Sequence, residues 1–297
     1  MSKQNSWDGV SKGSPLGHWI FYRLISIFGL IPAYALLVFV SFVYTIRDRK
    51  SSASITDFRT HCGLSTSFFT LYSHFFAFGT CLIDRYAFLI NKQSFFSFET
   101  IREDLIEQAL QNKTGAILLG AHIGNWELAG NLLSDRIKAD IHYVMVDKER
   151  NDMRKLEKGA MDKRRAKPIF VGEDGLALMI AVKNAIAGNG LVCMHGDRTM
   201  GQKSAVHNFL GQDVAFPIGP FAIAAATGTP IIPIVVIKQG LKKYVFKAFA
   251  PMQFTGVTRE NRDKMIYTAM ERYVGILEQI VKEQPYQWFN FYDFWGT

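Results

Sequence analysis

From Leu24 to Tyr44 the chain runs LISIFGLIPAYALLVFVSFVY, 21 positions without a charged side chain. No other feature limits the fold as strongly. A helix of that length reaches roughly 30 Å, the thickness of a bilayer's hydrocarbon core. Arg23 precedes the run, and Arg47, Arg49 and Lys50 follow it, so positive residues flank both ends and leave orientation undecided. Pro32 is expected to kink this helix, a defect membrane helices tolerate. The run is too long for a cleavable signal, and no small-x-small cleavage site follows it. A buried core helix is the alternative reading.

With 297 residues, 48% hydrophobic, the chain suits one large α/β domain with a small attachment better than a polytopic transporter. Aromatic content is 13%, including 24 Phe, which leaves apolar surface for a membrane or a fatty substrate. The formal net charge of +8 has its basic residues beside apolar and aromatic segments. That placement favours a membrane surface over nucleic acid, for which no motif is present. Cys62, Cys81 and Cys193 are widely spaced and match neither a disulfide framework nor zinc-ligand spacing.

Phe68, Phe69, Tyr72, Phe75, Phe76 and Phe78 recur at helical spacing within Ile55 to Ile90. From about residue 100 the pattern alternates. Helices are expected at 101–111, with Thr100 as N-cap, and at 126–133, 176–187, 221–227 and 259–281. Short apolar strands are expected at 116–119, 141–146, 168–171, 191–194, 231–237 and 244–249. Strands alternating with helices predict a mixed or largely parallel sheet with helices on both faces.

The segment that carries chemistry is Ile117 to Ala129, ILLGAHIGNWELA. An apolar strand runs into Gly120, His122 follows at once, and Gly124 and Asn125 permit a tight turn. Glu127 falls in the first turn of the next helix. Imidazole and carboxylate thus stand at the C-terminal end of a strand, where open α/β sheets place their sites. A carboxylate on one ring nitrogen fixes the tautomer, and the other nitrogen takes a proton. Amides near Gly124 and Asn125 are the expected oxyanion donors. On spacing alone a structural reading, His capping a turn and Glu favoured in a first helical turn, outweighs the functional one, and the strand–Gly–turn–helix setting brings the two about level.

Gly120-Ala-His-Ile-Gly-Asn-Trp-Glu127 resembles the His-x4-acidic motif of the glycerolipid acyltransferases. More narrowly, it resembles the bacterial lipid A biosynthesis late acyltransferases. Further blocks follow in order: Asn151 and Arg154 in a basic stretch, His195-Gly-Asp-Arg198, Phe209-Leu-Gly211, Phe216-Pro217, Thr229-Pro-Ile-Ile-Pro233, and an aromatic end with Gln287-Trp288-Phe289. The resemblance covers most of the chain, from Trp7 to Trp295. It implies an acyltransferase domain over residues 51–297, with residues 1–50 as a membrane anchor or interfacial helix on the cytoplasmic side of the bacterial inner membrane. It implies an acyl carrier protein as donor, a lipid acceptor, anionic lipid nearby, and no metal or other cofactor. His122 is then the base and Glu127 its partner. Gly124, Asn125, Asn151, Arg154, Arg164, His195, Asp197 and Arg198 are expected to bind substrate, Arg198 by pairing with a phosphate. An ion pair between Asp197 and Arg198 is the structural alternative.

The stretch 147–167 carries nine Lys or Arg against five Asp or Glu, densest at Lys163, Arg164, Arg165 and Lys167. It reads either as a solvated helix or as a rim for phosphorylated lipid or the acidic carrier protein. There is no G-x-S-x-G elbow, so direct transfer is simpler than a serine acyl-enzyme. No P-loop or G-x-G-x-x-G is present either. The expected activity is O-acyl transfer to a hydroxyl of a lipid A precursor or related glycolipid, with the donor an acyl-ACP or, second, an acyl-CoA. The rival is a non-catalytic lipid- or partner-binding protein of the same fold.

Overall fold

The structure is a computed structural model that describes residues 14–90, 92–146, 166–171, 175–199 and 202–296. Four helices open the chain: α1 (Pro15–Phe28), α2 (Leu30–Arg47), α3 (Arg49–His61) and α4 (Phe68–Leu89). The uncharged run is therefore not one helix. It breaks at Gly29, whose φ of 83° and ψ of −163° no residue with a side chain adopts readily. Pro32 causes no kink, because it lies in the first turn of α2, where a missing N–H costs nothing. The buried residues of α2, namely Leu30, Ala33, Tyr34, Leu37, Ser41 and Thr45, follow helical spacing and face inward.

The α/β part follows as β1 (Ser97–Ile101), α5 (Asp104–Gln111), β2 (Ala116–Gly120), α6 (Trp126–Arg136), β3 (Ile141–Val146), β4 (Ala166–Val171), α7 (Gly175–Ala187) and β5 (Leu191–His195). It continues through β6 (Ser204–Phe209), β7 (Gln212–Pro217), α8 (Gly219–Thr227), β8 (Ile231–Lys238), β9 (Lys243–Ala248) and α9 (Arg262–Glu283). Thr100 belongs to β1 rather than capping a helix, and α5 starts four residues later. The β6–β7 hairpin was not expected at all. It turns at Leu210 and Gly211, both with positive φ.

Seven strands form one sheet in the order β1-β9-β8-β2-β5-β3-β4. All neighbours are parallel except β8 and β9. This is the mixed sheet the alternation predicts. β2 lies at its centre and is buried at every position, Ile117 and Leu119 facing one core cluster and Leu118 the other. Helices α7, α8 and α9 supply side chains to the first cluster, and α1, α2, α4, α5 and α6 to the second. The C-terminal segment, 286–296, threads back under α3 and α4, with Phe58 of α3 edge-on to Trp288 at 4.7 Å.

Candidate active site

Parallel pairing of β2 with β5 sets the site. Gly120 pairs with His195 at the ends of these strands. Side chains two residues apart on a strand share a face. Continuing each strand by two residues thus brings His122 and Asp197 to the same side, with His195 beside His122. His122 Nδ1 lies 2.9 Å from Asp197 Oδ1, and the His122 backbone N–H donates to Asp197 Oδ2 at 3.0 Å. One carboxylate grips both the ring and the backbone of one residue.

Charge follows from these contacts. Burial alone raises the Asp197 carboxyl, but His122, Arg198 and His195 outweigh it and hold the group well below the usual carboxylate range. An ionised carboxylate only accepts, so Nδ1 carries the proton and the imidazole lone pair sits on Nε2. Burial, and after it Arg198, lowers the His122 pKa against the pull of Asp197, so the ring is neutral at pH 7. Its side chain is 13% exposed, against 1% for Asp197. His195 lies beside it, its ring tilted by 56° with centroids 4.4 Å apart, and burial followed by the neighbouring His122 pushes its pKa down to about 3. Trp126 stands edge-on to the His122 ring at 5.0 Å. The arrangement is a neutral imidazole oriented by an anion, competent to accept a proton from a hydroxyl.

The partner expected for His122 was Glu127, and the structure corrects it. Glu127 forms an ion pair with Arg85 of α4, and the carboxylate on Nδ1 is Asp197, 75 residues away in sequence. The expected amide donors are corrected as well. Gly124 N–H donates to the Gln287 carbonyl and Asn125 N–H to the Val236 carbonyl. A Cβ on Gly124, which has a φ of 61°, would lie 2.0 Å from the Val236 oxygen, so this turn is pressed onto β8. The Asn125 side chain donates to the Cys81 carbonyl at 3.0 Å and toward the Tyr244 hydroxyl, tying α6 to α4 and β9 rather than meeting substrate. Arg198 donates to the Phe289 carbonyl at 2.6 Å and lies 5.4 Å from the Tyr292 ring centre, so it is fastened to the C-terminal segment beside Asp197. Asn151, Arg154 and Arg164 lie outside the described residues.

Other residues that shape the site carried no recognised role in the sequence. Phe289 N–H donates to the His122 carbonyl, and Ile123 pairs with Trp288. The Gln287 side chain bonds both the N–H and the carbonyl of Lys238 at 2.9 Å. The aromatic tail is therefore a clamp on the His122 turn. In the sequence Gln287, Trp288 and Phe289 stood out only as a block of the family resemblance, with no role attached. Tyr273 gave no signal: it is a core residue of α9 whose hydroxyl donates to the Gly120 carbonyl at 2.8 Å, below the His122 turn. A recess beside the turn is lined by Phe78, Leu82 and Arg85 of α4 and by Trp126, Glu127 and Phe289. It holds about 240 Å³ counting its open mouth. Only about 20 Å³ of it is enclosed enough to hold a water-sized sphere, so this recess alone does not house a long acyl chain.

No curated protein matches the chain. The sequence model of one protein family, described as bacterial lipid A biosynthesis acyltransferase, matches residues 84–297, from the end of α4 through every strand and the aromatic tail. Because that match takes in most of the chain and all of the site, the protein belongs to the bacterial lipid A biosynthesis acyltransferase family.

Proposed function

We propose that the protein transfers a fatty acyl chain from an acyl carrier protein thioester to a hydroxyl of a lipid A precursor or related glycolipid, at the cytoplasmic face of the inner membrane. The observation that carries the reading is His122, neutral and fixed through Nδ1 by an ionised Asp197. His122 Nε2 takes the proton of the acceptor hydroxyl as its oxygen attacks the thioester carbonyl carbon. Negative charge collects on the carbonyl oxygen. The N-terminal turn of α6, whose first amides point out of the helix, and the nearby Arg198 oppose it. The C–S bond then breaks, and His122 returns its proton to the leaving thiolate. Asp197 stabilises the imidazolium between these steps without becoming protonated. Glu127 and Arg85, on the wall of the recess, form its polar patch.

The test supplies purified protein with labelled acyl carrier protein and acyl-CoA thioesters in turn, with membrane lipids as acceptor. Transfer should occur with the carrier-bound donor and fall about 10²–10⁴-fold in His122→Ala, the usual contribution of a general base. Full turnover in that variant removes the assignment. Lipid that co-purifies with no turnover from either donor supports a binding protein of the same fold.

A further inference from the structure

α2 is long and apolar enough to cross a membrane, at 18 residues and about 27 Å. The contacts at its two ends are at odds with a crossing. Near its start, Tyr34 donates to Asp84 of α4, which also holds Lys238 of β8 and Tyr244 of β9. Toward its end, Tyr44 lies 6.2 Å from Phe75 and Phe42 lies 5.7 Å from Phe68. α2 therefore runs antiparallel along α4 from end to end. Asp48 alone separates it from α3, and it caps that helix by accepting from Ser51 N–H. α3 then buries Phe58 against Trp288 in the main core. Just before α2, Lys92 donates to the carbonyls of Ile25 and Ser26 at the end of α1. Both ends of α2 thus rest on the same folded body, and a folded body lies on one side of a bilayer.

The opposite face of α2 exposes Ile31, Val38, Phe39, Phe42 and Ile46, one stripe along its length, with Phe39 71% exposed. Phe28 and Trp19 of α1 extend it at one end, and Phe69 of α4, 77% exposed, at the other. An apolar surface of this extent marks an interaction site. The charge around it selects the occupant. Arg23 sits 5.8 Å from the Trp19 ring centre, Arg47, Arg49 and Lys50 stand exposed at the far end, and Asp48 is the one carboxylate between residues 14 and 56. Trp and Arg or Lys at the rim of an apolar face suit the headgroup region of an anionic bilayer. We infer that α1, α2 and the first turn of α4 seat the protein in one leaflet of an anionic membrane, with α2 lying in the membrane plane and not across it.

Depth of spin labels tests this on the full chain, in vesicles of phosphatidylglycerol and phosphatidylethanolamine. Labels are placed singly by I31C, V38C, F42C and I46C, and the unsubstituted chain, with its own cysteines, sets the background. All four labels should report one shallow depth by their relative access to oxygen and to a water-soluble nickel chelate. A spanning helix would spread them over about 22 Å, since 15 residues separate the outer two. Such a gradient overturns the inference. So do labels that remain in water, or labels shielded from both relaxants by a second copy of the chain. Replacing the phosphatidylglycerol by phosphatidylcholine should weaken vesicle binding at least ten-fold, and equal binding would remove the anionic requirement. Depth is read without turnover, so the seating and the proposed activity can each fail alone.

Discussion

Asp197 and Asp84 are both buried carboxylates ringed by donors, yet they behave oppositely. Asp84, with 0% side-chain exposure, receives Tyr34, Tyr244 and Lys238 from three other elements. Burial still pushes its pKa up, and Lys238 and the hydroxyls only partly oppose that. Asp197 receives a backbone N–H and an imidazole, with a guanidinium next to it, and its pKa falls. Two of the three Asp84 donors are neutral phenols, whereas cations and cation-forming rings surround Asp197. The Asp84 cluster joins α2, α4, β8 and β9 with its groups turned on one another. The Asp197 cluster ends in an imidazole that reaches solvent. A buried carboxylate in the first setting holds layers together, and in the second it orients a neighbouring ring.

The comparison breaks most readily at Asp197. Asp197→Asn should lower the acyl-transfer rate by about 10²–10⁴-fold, because an amide cannot hold Nδ1–H and the backbone N–H together and favours the wrong tautomer. Glu127→Gln should cost less, since Glu127 pairs with Arg85. A larger loss in Glu127→Gln than in Asp197→Asn would overturn the assignment of partners. At the other cluster, Asp84→Ala should leave Lys238 buried and uncompensated and destabilise the fold by about 3–5 kcal/mol. Denaturant titration measures this, and unchanged stability would show the cluster to be dispensable.

Smaller effects sharpen the contrast. Buried His74 and His195 have pKa values lowered to about 4 and about 3, each by burial first. The unfolded chain, with histidines near 6.5, binds more protons below that pH. Stability should therefore be complete above pH 6.5 and fall with acidification toward pH 4, by up to about 1.4 kcal/mol per pH unit for each group. A melting midpoint that stays level between pH 7 and pH 5 would contradict it. The His122 pKa is lowered too, so the rate should hold through pH 6.5 and drop only below it. Least of all, Tyr34→Phe removes one hydrogen bond to Asp84 while Lys238 stays, and should cost roughly 1.5–3 kcal/mol. Loss greater than in Asp84→Ala would mean that Tyr34 acts through packing of α2 instead.

Much of the sheet was legible because buried parallel strands are short unbroken apolar runs, as at 116–120, 191–195 and 231–238. β1, reading Ser-Phe-Glu-Thr-Ile, escaped notice because an edge strand alternates and carries charge, and here it abuts a helix. The break at Gly29 escaped because a lone glycine in an apolar run signals nothing until its φ is known.

The sequence by itself determined the α/β alternation, the strand-to-turn placement of His122 and the apolar character of α1 and α2, since these rest on local pattern. It could not decide which carboxylate meets His122. Glu127, five residues along, is near in the chain, but the first turn of α6 directs it to Arg85. Asp197 is distant in the chain, and the register of β2 on β5 brings it to 2.9 Å. Strand register is a property of the assembled sheet, fixed by the burial of both its faces. Which face of α2 is left for lipid was decided in the same way, by where α4 packs.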